Sequence, residues 1–249
     1  MKLAGACVAV LLAVPLLRAE GTFLDVLQSG SAGQVLAAVQ AGADARHSDR
    51  AGVTPLMIAA AKNPDPRVLL VLLAAGARVG ERDWVGRTPL MYAASSNSTP
   101  EIIRALVSAG SALEDQDSMG ATALVHAARS NANPAVIVAL VSAGAAVDRR
   151  DPAGMTALMH AAESNPEPGV LRTLMDEGAE VNARSVTGMT ALLFAAERST
   201  NPEVVLLLLR SGADPRAVGP GGEGALAFAQ RNEALRGTSA VDALGQALP

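Results

Sequence analysis

The sequence predicts an all-α solenoid, a row of helix–turn–helix units of about seven copies counting an atypical one at each end. Three observations carry the prediction. The phrase "GVTPLMIAA" returns as "GRTPLMYAA", "GATALVHAA", "GMTALMHAA" and "GMTALLFAA", with leading glycines Gly52, Gly86, Gly120, Gly154 and Gly188, 34 residues apart. A second glycine series, Gly42, Gly76, Gly110, Gly144, Gly178 and Gly212, and a proline series, Pro66, Pro100, Pro134, Pro168 and Pro202, keep the same interval. Three independent series at one spacing mark supersecondary units that stack.

The punctuation gives each element in turn. Thr54, Thr88, Thr122, Thr156 and Thr190 stand where a hydroxyl can cap a helix, and Pro55 and Pro89 follow at the first helical position, where a missing N–H costs nothing. The first helix runs through the "LMxAA" segment. A loop such as "SNANP" breaks it, and a second helix begins at the recurring proline. Asp65, Thr99, Asn133 and Asn201 are plausible caps there, and Glu167 is a weaker one. Along the second helix, Val68, Leu69, Leu72 and Leu73 become Ile102, Ile103, Leu106 and Val107, then Val136, Ile137, Leu140 and Val141, which is one helical face. The glycine after it suits a left-handed cap. One such pair cannot bury its apolar face alone, but neighbours stacked on both sides can. Only five aromatic residues, Phe23, Trp84, Tyr92, Phe194 and Phe228, occur in 249. That scarcity fits thin, closely packed layers better than one large core.

The pattern "G-x-T-P-L-x-x-A-A … L-L-x-x-G-A" resembles the ankyrin repeat from about residue 20 to the end. The resemblance implies two antiparallel helices per repeat, with a projecting β-hairpin finger between repeats. It sets a cap at about 20–51, full repeats at 52–85, 86–119, 120–153, 154–187 and 188–221, and a second cap at 222–249. Departures are visible. The interhelix loop holds one extra residue, and the family's histidine after "TPL" is replaced by Met57, Met91, Val125, Met159 and Leu193, which removes its hydrogen bonding within the turn. Ala123, Ala157 and Ala191 stand where the family has proline.

Residues 1–19 form a separate text. Lys2, an apolar run from Leu3 to Leu17, and Arg18-Ala19 describe a secretory signal cleaved after Ala19, too short for a membrane span. The expected destination is the periplasm or beyond, in a bacterial cell. Cys7 sits in a lipobox-like "LAGAC", but too few apolar residues precede it. Cleavage would leave a chain without cysteine, so neither disulfides nor thiol chemistry is expected.

A net charge of −4 and the lack of any basic cluster argue against nucleic acid as a partner. No nucleophile triad, phosphate-cradling glycine loop or paired-carboxylate site stands out, so no enzyme, cofactor or metal is expected. Glu114, Asp115 and Asp117 lack calcium-loop spacing and are read as solvated finger acids. His126 and His160 occupy equivalent positions in adjacent repeats. They offer an alternative role, ligand or metal binding in the cell envelope, although two ligands alone make a poor site. A host-directed effector is a further alternative.

What remains is the surface. The resemblance implies that a partner meets the finger tips and the exposed side of the first helices. At those positions stand Arg50, Trp84, Val85, Arg87, Met119, Met155, Val186 and Met189. Large apolar groups where the scaffold needs none suggest a contact stripe, with Trp84 as anchor. The expected molecule is a monomeric, non-catalytic scaffold that binds another protein and, apart from the signal segment, no membrane.

Overall fold

The computed structural model describes residues 19–248, which form fourteen α-helices in two layers. The signal segment, apart from Ala19, and Cys7 lie outside the described residues. The first-helix layer consists of α1 (Ala19–Ser29), α3 (Pro55–Lys62), α5 (Pro89–Ser96), α7 (Ala123–Ser130), α9 (Ala157–Ser164), α11 (Ala191–Arg198) and α13 (Ala225–Arg231). The second layer holds α2 (Ala32–Gln40), α4 (Pro66–Ala74), α6 (Pro100–Ser108), α8 (Pro134–Ser142), α10 (Pro168–Asp176), α12 (Pro202–Arg210) and α14 (Ser239–Ala247). Every first helix packs on the first helices before and after it, and the second helices do likewise. The core is therefore a strip between the layers, renewed at each repeat.

Small residues set the spacing of the first layer. The alanine pairs Ala59–Ala60, Ala93–Ala94, Ala127–Ala128, Ala161–Ala162 and Ala195–Ala196 are fully buried, which lets the backbones approach closely. Val68, Leu69 and Leu72, and their counterparts Ile102, Ile103 and Leu106, fill the gap from the second layer. All five threonines cap as expected. Each hydroxyl accepts the N–H three residues on, at 3.3–3.4 Å. The loss of turn hydrogen bonding with the missing histidine is only partial. The Met57 and Met91 sulfurs accept the Thr54 and Thr88 N–H groups at 3.4 and 3.5 Å, as weak acceptors can. At the second helices, Asp65, Asn133 and Asn201 cap through their side chains, whereas Thr99 and Glu167 do not.

The lengthened loop between the helices builds a buried polar link between repeats. Asn97 is buried, and its amide donates to the Ala60 and Asn63 carbonyls of the preceding repeat at 3.0 and 2.8 Å. Asn131 reaches Ala94 and Asn97, and Asn165 reaches Ala128 and Asn131, at 2.8–3.0 Å. Asn63 and Asn232 do the same at the two ends. Meanwhile each carbonyl oxygen of Asn63, Asn97, Asn131 and Asn165 accepts the N–H two residues on, which fixes the loop that presents it. The fifth full repeat carries Ser199 at this position. Its hydroxyl bonds only within its own loop, to Asn201, so the junction between α9 and α11 lacks this link.

Two stability changes follow. Asn131→Ala strands two carbonyls and the Asn133 N–H, and should cost about 2–4 kcal/mol in urea unfolding. Ser199→Asn should restore the missing link and raise stability by about 1 kcal/mol. A destabilised Ser199→Asn protein would show that this junction cannot accept the amide.

Candidate functional site

Between repeats the chain turns back in short projecting fingers. The Asp83 N–H donates to the Arg87 carbonyl at 3.0 Å, and the Gly86 N–H donates to the Asp83 carbonyl at 2.9 Å. This is a three-residue hairpin, and Gly86 takes the left-handed conformation it needs, with φ of 81°. The pattern repeats from Asp49, Asp117, Asp151 and Ser185. The fingers are too short to count as strands, and among the described residues the only bridge is an isolated one between Val218 and Gly224. At Gly154 a side chain would also collide with the next finger, because a Cβ there would lie 2.9 Å from the Val186 nitrogen.

Three of the fingers are clipped to the helix that follows, each by one aspartate. One Asp83 carboxylate oxygen accepts the Val85 and Arg87 N–H groups at 3.0 and 2.8 Å, and the other accepts the Tyr92 hydroxyl at 2.8 Å. Asp117 holds Met119 and Ala121 in the same way and meets His126 Nε2 at 2.9 Å. Asp151 holds Ala153 and Met155 and meets His160 Nε2 at 2.9 Å. Burial would raise the Asp83 carboxyl, but hydrogen bonds from Tyr92 and Arg87 outweigh it and hold it below the usual carboxylate value. Burial and the bond to Asp83 push the Tyr92 hydroxyl up to about 12. Burial of the imidazole, helped by Arg87 and Arg129 and opposed by Asp117, keeps His126 below the ordinary 6.5.

The fingers also join one another. The N–H groups of Trp84, Ser118 and Val186 each donate at 2.9 Å to the preceding finger, at Ala51, Val85 and Ala153. Arg82, Arg150 and Arg184 donate to carbonyls both of their own finger and of the next. Pro152 has no N–H to give, and the finger of Met119 lacks that bond to its successor.

On this braced edge Trp84 is 80% exposed, Val186 78% and Met119 74%, with Val85 and Arg50 exposed beside them. Three expected members differ. Met189 is buried at 6% exposure, because the glycine-rich finger of the C-terminal cap folds over it. Its sulfur lies 2.8 Å from where a Gly219 Cβ would stand. Met155 is half-buried against the core. Arg87 is not a free cation. It donates to Asp83 at 2.9 Å and to the Tyr92 hydroxyl at 2.8 Å, and lies 4.5 Å above the Tyr92 ring.

The family model for ankyrin repeats matches three times, over residues 26–117, 56–151 and 124–218. The chain belongs to the ankyrin repeat family. The crystal structure of the human ASB11 ankyrin repeat domain superposes with a TM-score of 0.74 at 22% identity, covering 91% of this chain and 97% of that one, which is a likeness of fold. No curated protein sequence matches closely enough to count as a relative. Ankyrin repeats are generally non-catalytic scaffolds for binding other proteins.

Within this ankyrin domain the polar candidates have structural employment. Asp117 is not a solvated acid, since its side chain is only 8% exposed and ties the finger to His126. The same signal, an aspartate three residues before the leading glycine in four repeats, was present in the sequence and is the site feature that motif reading missed. His126 and His160 turn to separate aspartates and so do not form a shared ligand set. Among the described residues no group of three or more His, Cys, Asp or Glu side chains could hold a metal ion, and no helix is long and apolar enough to cross a membrane.

His126 makes a pH prediction. Its proton affinity is lower in the folded than in the unfolded chain, so its contribution to stability is present above pH 6.5 and lost as the pH falls through its folded value. His126→Tyr copies the Tyr92–Asp83 pair and removes that titration. Its melting temperature should fall less between pH 7 and pH 5 than that of the unaltered protein, measured by circular dichroism, and an equal fall would contradict the assignment.

Proposed function

We propose that this ankyrin domain is a non-catalytic scaffold that captures another protein on its finger edge. The observation that carries the reading is the run of exposed apolar side chains, Trp84, Val85, Met119 and Val186, on fingers whose turns are held by Asp83, Asp117 and Ser185, with the Trp84 and Met119 fingers also bonded to each other. A solvated edge of this kind costs the protein apolar exposure with no return to its own core, which supports a contact use. Rigid presentation supports it further, because little ordering remains when a partner docks. An apolar groove between α2 and α4, lined by Leu36, Val39, Leu70 and Val71, lies on the second-helix layer, away from the fingers.

We also propose that residues 1–19 direct export, so that capture takes place in the periplasm or outside the cell. Support comes from the basic start, the apolar run and Ala19 at the start of the first repeat helix. N-terminal sequencing of the protein recovered from its native host should read from Glu20, and an intact Met1 would remove the proposal.

The binding edge is tested by replacing Trp84 and Met119 with serine and using the protein as bait in envelope extract. Capture should weaken by roughly thirtyfold, the loss of a 2 kcal/mol hot spot. Far-ultraviolet circular dichroism should be unchanged, since both side chains are in solvent. Unaltered capture would move the site elsewhere.

A further inference from the structure

We propose that the segment held on the finger edge is acidic, a stretch of protein chain with Asp or Glu side chains around an aliphatic or aromatic residue. The inference rests on the finger edge being the binding surface and names the chemistry of what it takes. The chain as a whole carries a formal charge of −4. Its charge is nevertheless unevenly placed. Along the stretch of the stack that carries Trp84, Val85 and Met119, the exposed residues Arg50, Lys62 and Arg129 have no ion-pair partner among the described residues. Arg50 is at a finger tip, Lys62 ends α3 and Arg129 lies near the end of α7.

Two finger carboxylates of this stretch are turned inward. Asp83 and Asp117 are 2% and 8% exposed at the side chain, and their oxygens are taken by finger amides, Tyr92, Arg87 and His126. Asp49 is exposed and uses one oxygen to accept the Ala51 and Val53 N–H groups. Arg87 and Arg129 both disfavour protonation of His126, which places both charges in the neighbourhood of that imidazole. Two repeats further on the balance differs. Arg198 is paired with Glu163 at 2.9 Å and lies 3.5 Å from Glu197, so the cation there is already neutralised. The unpaired positive charge and the largest apolar tips therefore share the N-terminal half of the edge.

A partner's carboxylates over Arg50, Lys62 and Arg129 would each contribute little as solvated ion pairs. Together they would set orientation and association rate while an apolar residue seats beside Trp84. A protein segment fits better than nucleic acid or anionic lipid, because three separated cations are sparse for a phosphate backbone or a membrane surface.

Trp84 is the only tryptophan in the chain, so its emission reports occupation of the edge directly. The full protein is titrated with a synthetic peptide of about ten residues, enough to span roughly 30 Å extended, that has leucine and phenylalanine flanked by glutamates. A glutamine version and a lysine version serve as comparators. The glutamate peptide should shift the Trp84 emission to the blue and bind about tenfold more tightly than the glutamine peptide. That advantage should vanish in high salt and in the Arg50→Glu, Lys62→Glu, Arg129→Glu triple variant. Equal binding of the glutamine peptide would overturn the acidic preference while leaving the finger edge as a binding surface. No response to the glutamate peptide would also overturn it, and the capture test with Trp84 and Met119 variants would then stand or fall separately. Displacement of the glutamate peptide at equal charge by single-stranded DNA, or by phosphatidylglycerol vesicles, would show a general polyanion surface instead.

Discussion

The structure depends on contacts that cross from one repeat to the next. No helical pair here has enough apolar surface to stand alone, and the chain has almost no large rings with which to fill a centre. Close stacking of small residues replaces them, and close stacking buries the carbonyls at the ends of the first helices. The asparagines at 63, 97, 131 and 165 answer that need with two amide hydrogen bonds each. Their bonds have direction as well as strength, so they also fix how far one repeat turns relative to another. An apolar interface alone would tolerate sliding.

The finger edge, the surface proposed for binding, extends the same logic. A three-residue hairpin in water has little reason to hold one shape. In three of the fingers an aspartate inside the turn gathers two amides and then reaches the next helix through Tyr92, His126 or His160. The tip side chains are thereby carried on a support that has already lost its freedom. Where the support changes, so does the surface. Ser185 replaces the aspartate in the last full finger, and Met189 beside it is covered by the C-terminal cap rather than displayed.

Much of the fold was legible because glycine, threonine and proline act locally. A left-handed turn, a capped helix start and a helix-opening proline each demand a particular residue, and the 34-residue interval shows through any one of them. Trp84, Met119 and Val186 were legible for the same reason, since their register places them at the tips. The asparagine links were less so. Their partners are backbone carbonyls of the preceding repeat, 34–37 residues away, and a carbonyl has no letter in a sequence. Asp117 was hidden by its neighbours, since Glu114 and Asp115 made it look like part of a solvated acidic run. Met189 could not be read as buried because the residue that makes room for it is Gly219, thirty positions on.

Whether the fingers are held as described decides the account, and amide hydrogen exchange at Met119 and Ala121 measures it directly. Both amides donate to Asp117. They should exchange far more slowly than amides in an unstructured peptide, and Asp117→Ala should release them while the amides of α7 stay protected. Rapid exchange of Met119 and Ala121 in the unaltered protein, as fast as in the unfolded chain, would contradict a preformed binding edge.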